Sequence, residues 1–261
     1  MDDLENTAMP DRSLLDLDDI WDFALTCELD DVRELLDRQI QYNTAIAREG
    51  LTNDYGASIG KTLLDAYGSS DVRVRAKAMA AAGSDARMNG CEKPVIINSG
   101  SGNQGITCCV PVVEYARTLG SSHSDLLRAL VLSNLVAIHE KTGIGTLSAY
   151  CGAVSAAAGA GAGIVYLCGG SKQQMKDCLT NSLGTVSGIV CDGAKSSCAS
   201  KIAESLDMVF LGYEMCKKGK VLQSGDGLIG SDAEKTIQNI GRLGRYGMAQ
   251  TNNEILSIMI S

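Results

Sequence analysis

The sequence predicts an all-α fold, a compact multi-helix domain around a central buried helix rich in glycine and alanine. Aliphatic residues recur at three- and four-residue spacings in successive segments, the period of an amphipathic helix. Residues 142–171 carry no charge and no histidine, yet glycine and alanine dominate them, which favours a helix inside a bundle over a membrane span. Only 4% of residues are aromatic while 29 are glycine, so the helices are expected to approach one another closely.

The N-terminal third predicts a tail and three helices. Residues 1–16 are interpreted as a flexible tail. The first helix presents an apolar stripe of Leu17, Ile20, Trp21, Ala24 and Leu25. The second runs over about 31–49 and ends at Gly50. Its expected inward positions are Val32, Leu35, Leu36, Ile40 and Ile46. The third begins near Asp71 and continues towards Asn89.

The rest of the chain is predicted to be helical with one ambiguous stretch. Residues 94–98 fit either a strand or extended chain. Pro111 either kinks a helix that begins near Gln104 or lies in the first turn of a later one, and Gly120 ends the helix in both cases. Further helices are predicted over 124–141, within 142–171, and near 172–187, 195–217, 232–243 and 248–259. No repeat or linker divides residues 17–261, which are therefore expected to form one domain.

Composition narrows the possible partners and the compartment. The formal net charge of −8 is the wrong sign for a phosphate backbone or an anionic membrane surface, so neither nucleic acid nor membrane is an expected partner. The acidic N-terminus lacks the pattern of a secretory signal, which predicts a cytoplasmic protein. In that reducing compartment the ten cysteines are expected to stay free, and some of them are candidates for metal binding or catalysis.

A glycine-rich loop matches a nucleotide-binding pattern without its context. Residues 100–105 fit G-x-G-x-x-G, but the acidic residue about twenty positions on, Asp125, starts a helical segment instead of ending a strand. No Gly-Lys-Ser/Thr follows that would make a P-loop. The loop can instead cradle a carboxylate with backbone amides and with the side chains of Ser99, Ser101, Asn103 and Gln104. A tight turn between helices is the alternative.

Three cysteines are the candidate metal ligands. Cys151, Cys191 and Cys198 lie beside small residues that leave space around sulfur, and no C-x-x-C pair of a structural zinc site occurs. Separated thiolates suit an iron-sulfur cluster; the alternative is that all three are small buried apolar residues. A histidine site is disfavoured because the chain has two histidines, and His139-Glu-Lys-Thr-Gly143 has glycine where a zinc protease needs the second one.

Several strings together resemble one family. They are Ala-Gly-Ser-Asp-Ala-Arg-Met-Asn-Gly-Cys at 82–91, Ile-Asn-Ser-Gly-Ser-Gly-Asn-Gln-Gly at 97–105, Cys-Gly-Ala at 151–153 and Cys-Asp-Gly-Ala-Lys-Ser-Ser-Cys at 191–198. They occur in order within residues 17–261 and are similar to the L-cysteine desulfidase family, relatives of the iron-sulfur L-serine dehydratase alpha chain.

The resemblance implies a cofactor and a reaction. A [4Fe-4S] cluster is expected on Cys151, Cys191 and Cys198, with one iron open as a Lewis acid. The implied reaction is β-elimination of an amino acid, L-cysteine or L-serine, to pyruvate and ammonia. Its carboxylate is expected at the Ser99–Gln104 loop. Lys141 and Lys195 are the candidate bases, although a solvated lysine at a helix start is the stronger interpretation of Lys195.

The departure from the family bears on partners. Full-length members carry an additional N-terminal region with a Gly-Cys-Thr-Glu-Pro motif, which this sequence lacks. The chain is therefore expected to be the C-terminal, cluster-bearing part, completed by a second polypeptide or acting as a homo-oligomer. The alternative is a catalytically incomplete helical subunit or a non-enzymatic relative. A pyridoxal phosphate lyase is a third class, for which no lysine context argues.

Overall fold

The computed structural model describes residues 11–145 and 148–261, and the fold of these residues is all-α, as predicted. The described residues contain eleven α-helices, a 3-10 turn at Arg12–Leu14 and a π-helical turn at Leu243–Gly247. The α-helices are α1 (Leu17–Thr26), α2 (Leu29–Thr52), α3 (Ile59–Tyr67), α4 (Val72–Met88), α5 (Gly102–Leu119), α6 (His123–Ile144), α7 (Gly152–Leu167), α8 (Lys172–Thr185), α9 (Cys198–Lys217), α10 (Ala233–Arg242) and α11 (Ala249–Ile260).

The predicted central helix is α7. Glycines bring its backbone against its neighbours: a Cβ atom at Gly159 would lie 2.4 Å from the Ser133 carbonyl oxygen of α6, and one at Gly161 would lie 2.6 Å from the Val209 side chain of α9. At Gly159 the α7 backbone meets the α6 backbone, and at Gly161 it receives a side chain of α9, so α6, α7 and α9 pack as one unit. The largest hydrophobic cluster extends from this unit to α1, α2, α4, α5, α8 and α10.

Helix α5 resolves the ambiguity at Pro111. It begins at Gly102 and runs through Pro111 to Leu119, with Gly120 in the left-handed conformation as its C-cap. Proline cannot donate the backbone hydrogen bond expected there. The Ser133 hydroxyl of α6 donates to the neighbouring Cys108 carbonyl at 2.8 Å, which ties this part of α5 to α6.

Other expectations need correction or fall partly outside the described residues. Leu25 and Leu35 are exposed, because α1 and α2 bury Ala24 and Leu36 beside them instead. Helix α3 (Ile59–Tyr67) was not predicted from the sequence. Of the predicted tail, residues 1–10 lie outside the described residues, and the 3-10 turn follows Asp11, whose carboxylate accepts from the Ser13 amide at 3.0 Å.

Extended segments occur at two places. Residues 94–98 are extended but form no strand, and an isolated bridge joins Asn98 to Ser101. A second bridge joins Tyr150 to Val190, just before α7 and in the connection between α8 and α9. Both bridges lie at the candidate site described next.

None of the helices in the described ranges combines the length and hydrophobicity needed to cross a bilayer. This agrees with the interpretation of the uncharged segment as a buried helix.

Candidate functional site

A cleft of about 340 Å³ lies where five helix ends meet. The first residues of α5, α7 and α9 point into it, together with the last turns of α4 and α6. A helix N-terminus presents unpaired amides and a partial positive charge, so three of them in one place favour bound negative charge. The cleft is suited to thiolates and carboxylates.

The Tyr150–Val190 bridge brings two of the predicted ligands together. The Cys151 amide donates to the Ile189 carbonyl at 2.8 Å, and the Cys191 amide donates to the Ala149 carbonyl at 2.7 Å. Cys151 and Cys191 therefore become neighbours although forty positions separate them in the sequence. Cys151 is also the N-cap residue of α7.

The two thiols shift each other's pKa in opposite directions. The interaction with Cys151 lowers the pKa of Cys191 to about 6, and the same interaction raises that of Cys151, whose burial acts in the same direction. The Gly193 amide and the Lys201 ammonium also lower the pKa of Cys191, and Lys201 forms an ion pair with Asp192. The pair thus holds one negative charge more readily than two isolated thiols.

Cys198 lines the same cleft as the first residue of α9. Its thiol donates to the Gly193 carbonyl at 3.6 Å. Within residues 11–145 and 148–261, no group of three cysteine, histidine or acidic side chains is arranged to hold a single metal ion. The three sulfurs line one wall without converging on one point.

The donor set nevertheless fits an iron-sulfur cluster. Each cysteine of a [4Fe-4S] cluster binds a different iron, so its ligands stand further apart than those of one ion. Gly152, Ala153, Gly193 and Ala194 line the cleft between the sulfurs and leave it open. Three thiols, small neighbours and three helix N-termini are the features that an anionic cluster needs.

The predicted substrate loop forms the opposite wall. Ser99 and Gly100 have positive φ angles of 48° and 81°, which makes residues 98–101 a tight turn. Ser101 is the N-cap of α5 and accepts from the Gln104 amide. Ser101, Asn103 and Gln104 line the cleft, whereas Ser99 does not; its hydroxyl donates to the Asn98 side chain at 2.9 Å.

Gln104 connects the loop to the cysteine wall. A Cβ atom at Gly152 would lie 2.5 Å from the Gln104 Cδ, so the amide packs directly on the first residue of α7. Its Oε1 is buried without a hydrogen-bond partner among the described residues. Burying a polar oxygen without a hydrogen-bond partner costs free energy, so this oxygen is available to accept a hydrogen bond from a ligand.

Arg87 is a cleft residue that sequence reasoning missed. It belongs to the last turn of α4, where its guanidinium packs on Gly102 and donates to the Asn103 side chain at 3.4 Å. A guanidinium beside a helix N-terminus can bind a carboxylate through two parallel N–H···O hydrogen bonds. The string 82–91 contained Arg87, but nothing local distinguished it from a surface arginine.

The two candidate bases lie in different environments. Lys141, in the last turn of α6, is buried and lines the cleft. Burial lowers the pKa of its ammonium, while the sulfurs of Cys191 and Cys151 raise it. Lys195 is exposed on the loop between the ligands and is not among the residues that line the cleft. Tyr150, also missed, lines the cleft with a buried hydroxyl that has no partner among the described residues.

Comparisons with known proteins identify the family of the chain. The family model described as "Serine dehydratase alpha chain" matches residues 18–257. A UPF0597 protein of Desulfitobacterium hafniense is 55% identical over 255 residues, 98% of this chain and 59% of the relative. One of Lachnoclostridium phytofermentans is 55% identical over 96% of this chain and 60% of the relative. One of Treponema denticola is 48% identical over 97% and 60%. The chain thus spans about three fifths of the length of these relatives. No solved structure matches it.

Proposed function

The chain belongs to the serine dehydratase alpha chain family, and from that membership we propose that it is the cluster-bearing part of an amino-acid lyase. The reaction is β-elimination from L-cysteine or L-serine, which releases sulfide or water. The aminoacrylate that remains takes up one water to give pyruvate and ammonia. The observation that carries the proposal is the meeting of Cys151, Cys191 and Cys198 with Arg87, Lys141 and the α5 N-terminus in one cleft.

Cys151, Cys191 and Cys198 are the residues proposed to hold a [4Fe-4S] cluster. Bound there, the cluster would supply an open iron that acts as a Lewis acid on the leaving hydroxyl or sulfur. The Gly193 amide lowers the pKa of Cys191, and the helix N-termini at Cys151 and Cys198 favour negative charge in the cleft.

The opposite wall is proposed to bind the substrate carboxylate. Arg87 provides a guanidinium fork, and the first turn of α5 provides the amides of Gly102 and Asn103. The Gln104 side chain lies between this wall and Cys151, where its unpaired oxygen can accept a hydrogen bond from the substrate ammonium group. These contacts orient the substrate across the cleft.

Lys141 is the proposed base. It faces the cleft from α6, on the side of the cysteines, and no hydrogen bond to its ammonium occurs among the described residues. The neutral amine takes the proton from Cα, the electron pair forms the Cα–Cβ double bond, and the leaving group departs from Cβ. The aminoacrylate that remains hydrolyses to pyruvate and ammonia. Lys195 is exposed outside the cleft, so we propose no role for it in this step.

Residues 1–261 are proposed to need a further region for full activity. About two fifths of each relative has no counterpart here, and the sequence lacks the Gly-Cys-Thr-Glu-Pro motif expected of full-length members of the desulfidase family. We therefore expect cluster binding together with slow turnover, and faster turnover when the remaining region of a relative is supplied.

Anaerobic purification or reconstitution, followed by iron and sulfide analysis, tests the cluster. We expect close to four irons per chain and broad visible absorption. Serine at position 151, 191 or 198 should lower the iron content sharply, because a hydroxyl is a poor replacement for thiolate. Cys168→Ser is the matched control, since Cys168 is exposed and distant from the cleft lining. Equal iron content in all four variants would refute the ligand assignment.

Turnover is then measured as pyruvate and sulfide release from L-cysteine and as pyruvate release from L-serine. A chain that folds, stays colourless after reconstitution and releases no pyruvate would instead identify a non-enzymatic relative that kept the fold. Rapid turnover by the chain alone would contradict its proposed incompleteness.

A further inference from the structure

A second concave surface, the rear groove, lies behind the substrate loop. Its wall is formed by Phe23 of α1, Val32 and Leu35 of α2, Ile97, and Leu135 and Ile138 of α6. The groove has a volume of about 250 Å³, and no charged residue lines it although the chain carries a net charge of −8. It takes no part in the cleft chemistry described above.

The rim of the rear groove is unusually exposed for apolar side chains. Phe23, Leu35 and Ile97 leave 49%, 57% and 57% of their surface open to solvent, and they are adjacent around one depression. Single exposed apolar residues are ordinary, but a contiguous group around a concave surface is characteristic of an interaction site.

The polar groups of the rear groove are already paired with each other. Gln39 and Asn134 exchange two amide hydrogen bonds of 2.9 Å, and Asn98 donates to the Asn134 side-chain oxygen at 3.0 Å. A polar or ionic ligand would find few free partners here. The surface is therefore complementary to an apolar polypeptide segment.

The rear groove and the cleft share one wall, the turn at residues 98–101. Asn98 and Ser99 line the groove, whereas Gly100 and Ser101 line the cleft. Ser99 holds a left-handed backbone conformation that is uncommon for serine. A polypeptide seated in the groove would contact the turn that shapes the substrate wall, without entering the cleft itself.

We infer that the rear groove is the docking site for an apolar segment of the region of the relatives that residues 1–261 do not match. About two fifths of each relative is unmatched, which is enough for a separate domain. A region that completes the active site must be anchored close to it, and the groove offers an uncharged apolar surface that reaches the substrate turn. The inference rests on the companion region of the proposed function.

Binding in trans tests the docking site. The probe is the unmatched region of the Desulfitobacterium hafniense relative, produced as a separate polypeptide and titrated into the full chain by anaerobic calorimetry. We expect Ile97→Glu and Leu35→Glu to weaken its binding at least tenfold, because each buries a charge in an apolar contact. Leu211→Glu is the control: Leu211 is similarly exposed, at 52%, but lies on α9 outside the rear groove.

Each result decides between occupants. Failure of the probe to bind the unaltered chain, or equal binding by the Ile97→Glu and Leu35→Glu chains, would overturn the inference. A dimer of the unaltered chain in sedimentation, lost in Ile97→Glu, would assign the groove to a second copy and also overturn it. Iron content is measured on the same samples: a cluster-free chain whose probe binding depends on Ile97 contradicts the proposed lyase and leaves the docking site intact.

Discussion

Glu140 should make the stability of the chain fall as pH rises. This α6 residue is buried, and neither carboxyl oxygen has a hydrogen-bond partner among the described residues. Burial raises its pKa well above the usual 4.5, with a smaller contribution from the Glu234 carboxylate. The other titratable groups around it are Tyr150 and Cys108, whose pKa values are also raised by burial. Both stay neutral at moderate pH.

The sign and slope follow from proton linkage. Below pH 4.5 both the folded and the unfolded chain carry the proton on this residue. Above that value the unfolded chain loses the proton while the folded chain keeps it, so the free energy of unfolding falls. One proton corresponds to a slope of about 1.4 kcal/mol per pH unit, which continues until the raised folded pKa is reached.

Glu140→Gln should remove this contribution. Urea unfolding of both proteins at about pH 5 to 8 gives the difference in unfolding free energy, from which shared titrations cancel. Glu204→Gln, at an exposed position on α9, is the control and should follow the unaltered chain. A pH-independent difference between the unaltered chain and Glu140→Gln would refute a protonated buried Glu140.

Three further predictions concern the cleft, the central helix and α3. Arg87→Ala should raise KM for the amino acid about tenfold or more at unchanged iron content, because a charge-assisted hydrogen bond contributes about 1.5–3 kcal/mol. Loss of iron at constant KM would contradict the proposed role of Arg87 in binding the carboxylate. Gly159→Ala should lower the free energy of unfolding by about 1–3 kcal/mol, since the new Cβ would meet the Ser133 carbonyl oxygen at 2.4 Å; an unchanged urea midpoint would show that α6 and α7 can separate freely. Asp85→Ala should cost about 1 kcal/mol through the lost cap of α3, and Asp85→Asn less, because an amide oxygen still accepts the Gly60 amide; equal unfolding midpoints for Asp85→Ala and the unaltered chain would exclude that cap.

The central helix could be predicted because its signal is local. A long uncharged stretch of glycine and alanine has side chains too small for a typical membrane span and too apolar for a solvent-exposed helix. It is therefore expected to be buried between other helices. Helix α3 lacks such a signal. The side chain of its N-cap residue, Ser58, accepts no hydrogen bond from the first turn of α3. The Gly60 amide in that turn instead donates to the carboxylate of Asp85 on α4, 25 residues further along the chain. A cap supplied by another helix leaves no trace in the local sequence.

The site was predictable only in part for the same reason. The cysteines stood out by residue type and by family resemblance, but the Tyr150–Val190 bridge that joins Cys151 to Cys191 is a long-range pairing. Serines two positions apart, Ser99 and Ser101, could not be assigned to opposite faces of a turn without its backbone angles. Burial likewise distinguishes Lys141 from Lys195, and burial is a property of the assembled helices.

The packing of the central helix and the chemistry of the cleft depend on the same contacts. Glycines set α7 directly against α6 and α9, which fixes Cys151 at the start of α7 relative to Lys141 at the end of α6 and Cys198 at the start of α9. Gly152 extends this close packing to α5, because its missing side chain leaves room for the Gln104 amide to pack directly on the first residue of α7. A methyl group at position 152 would therefore act on the distance between the two walls, although residue 152 itself has no reactive atom. Small residues at this site are a requirement of the geometry, because the cleft is formed by helix ends that must almost touch.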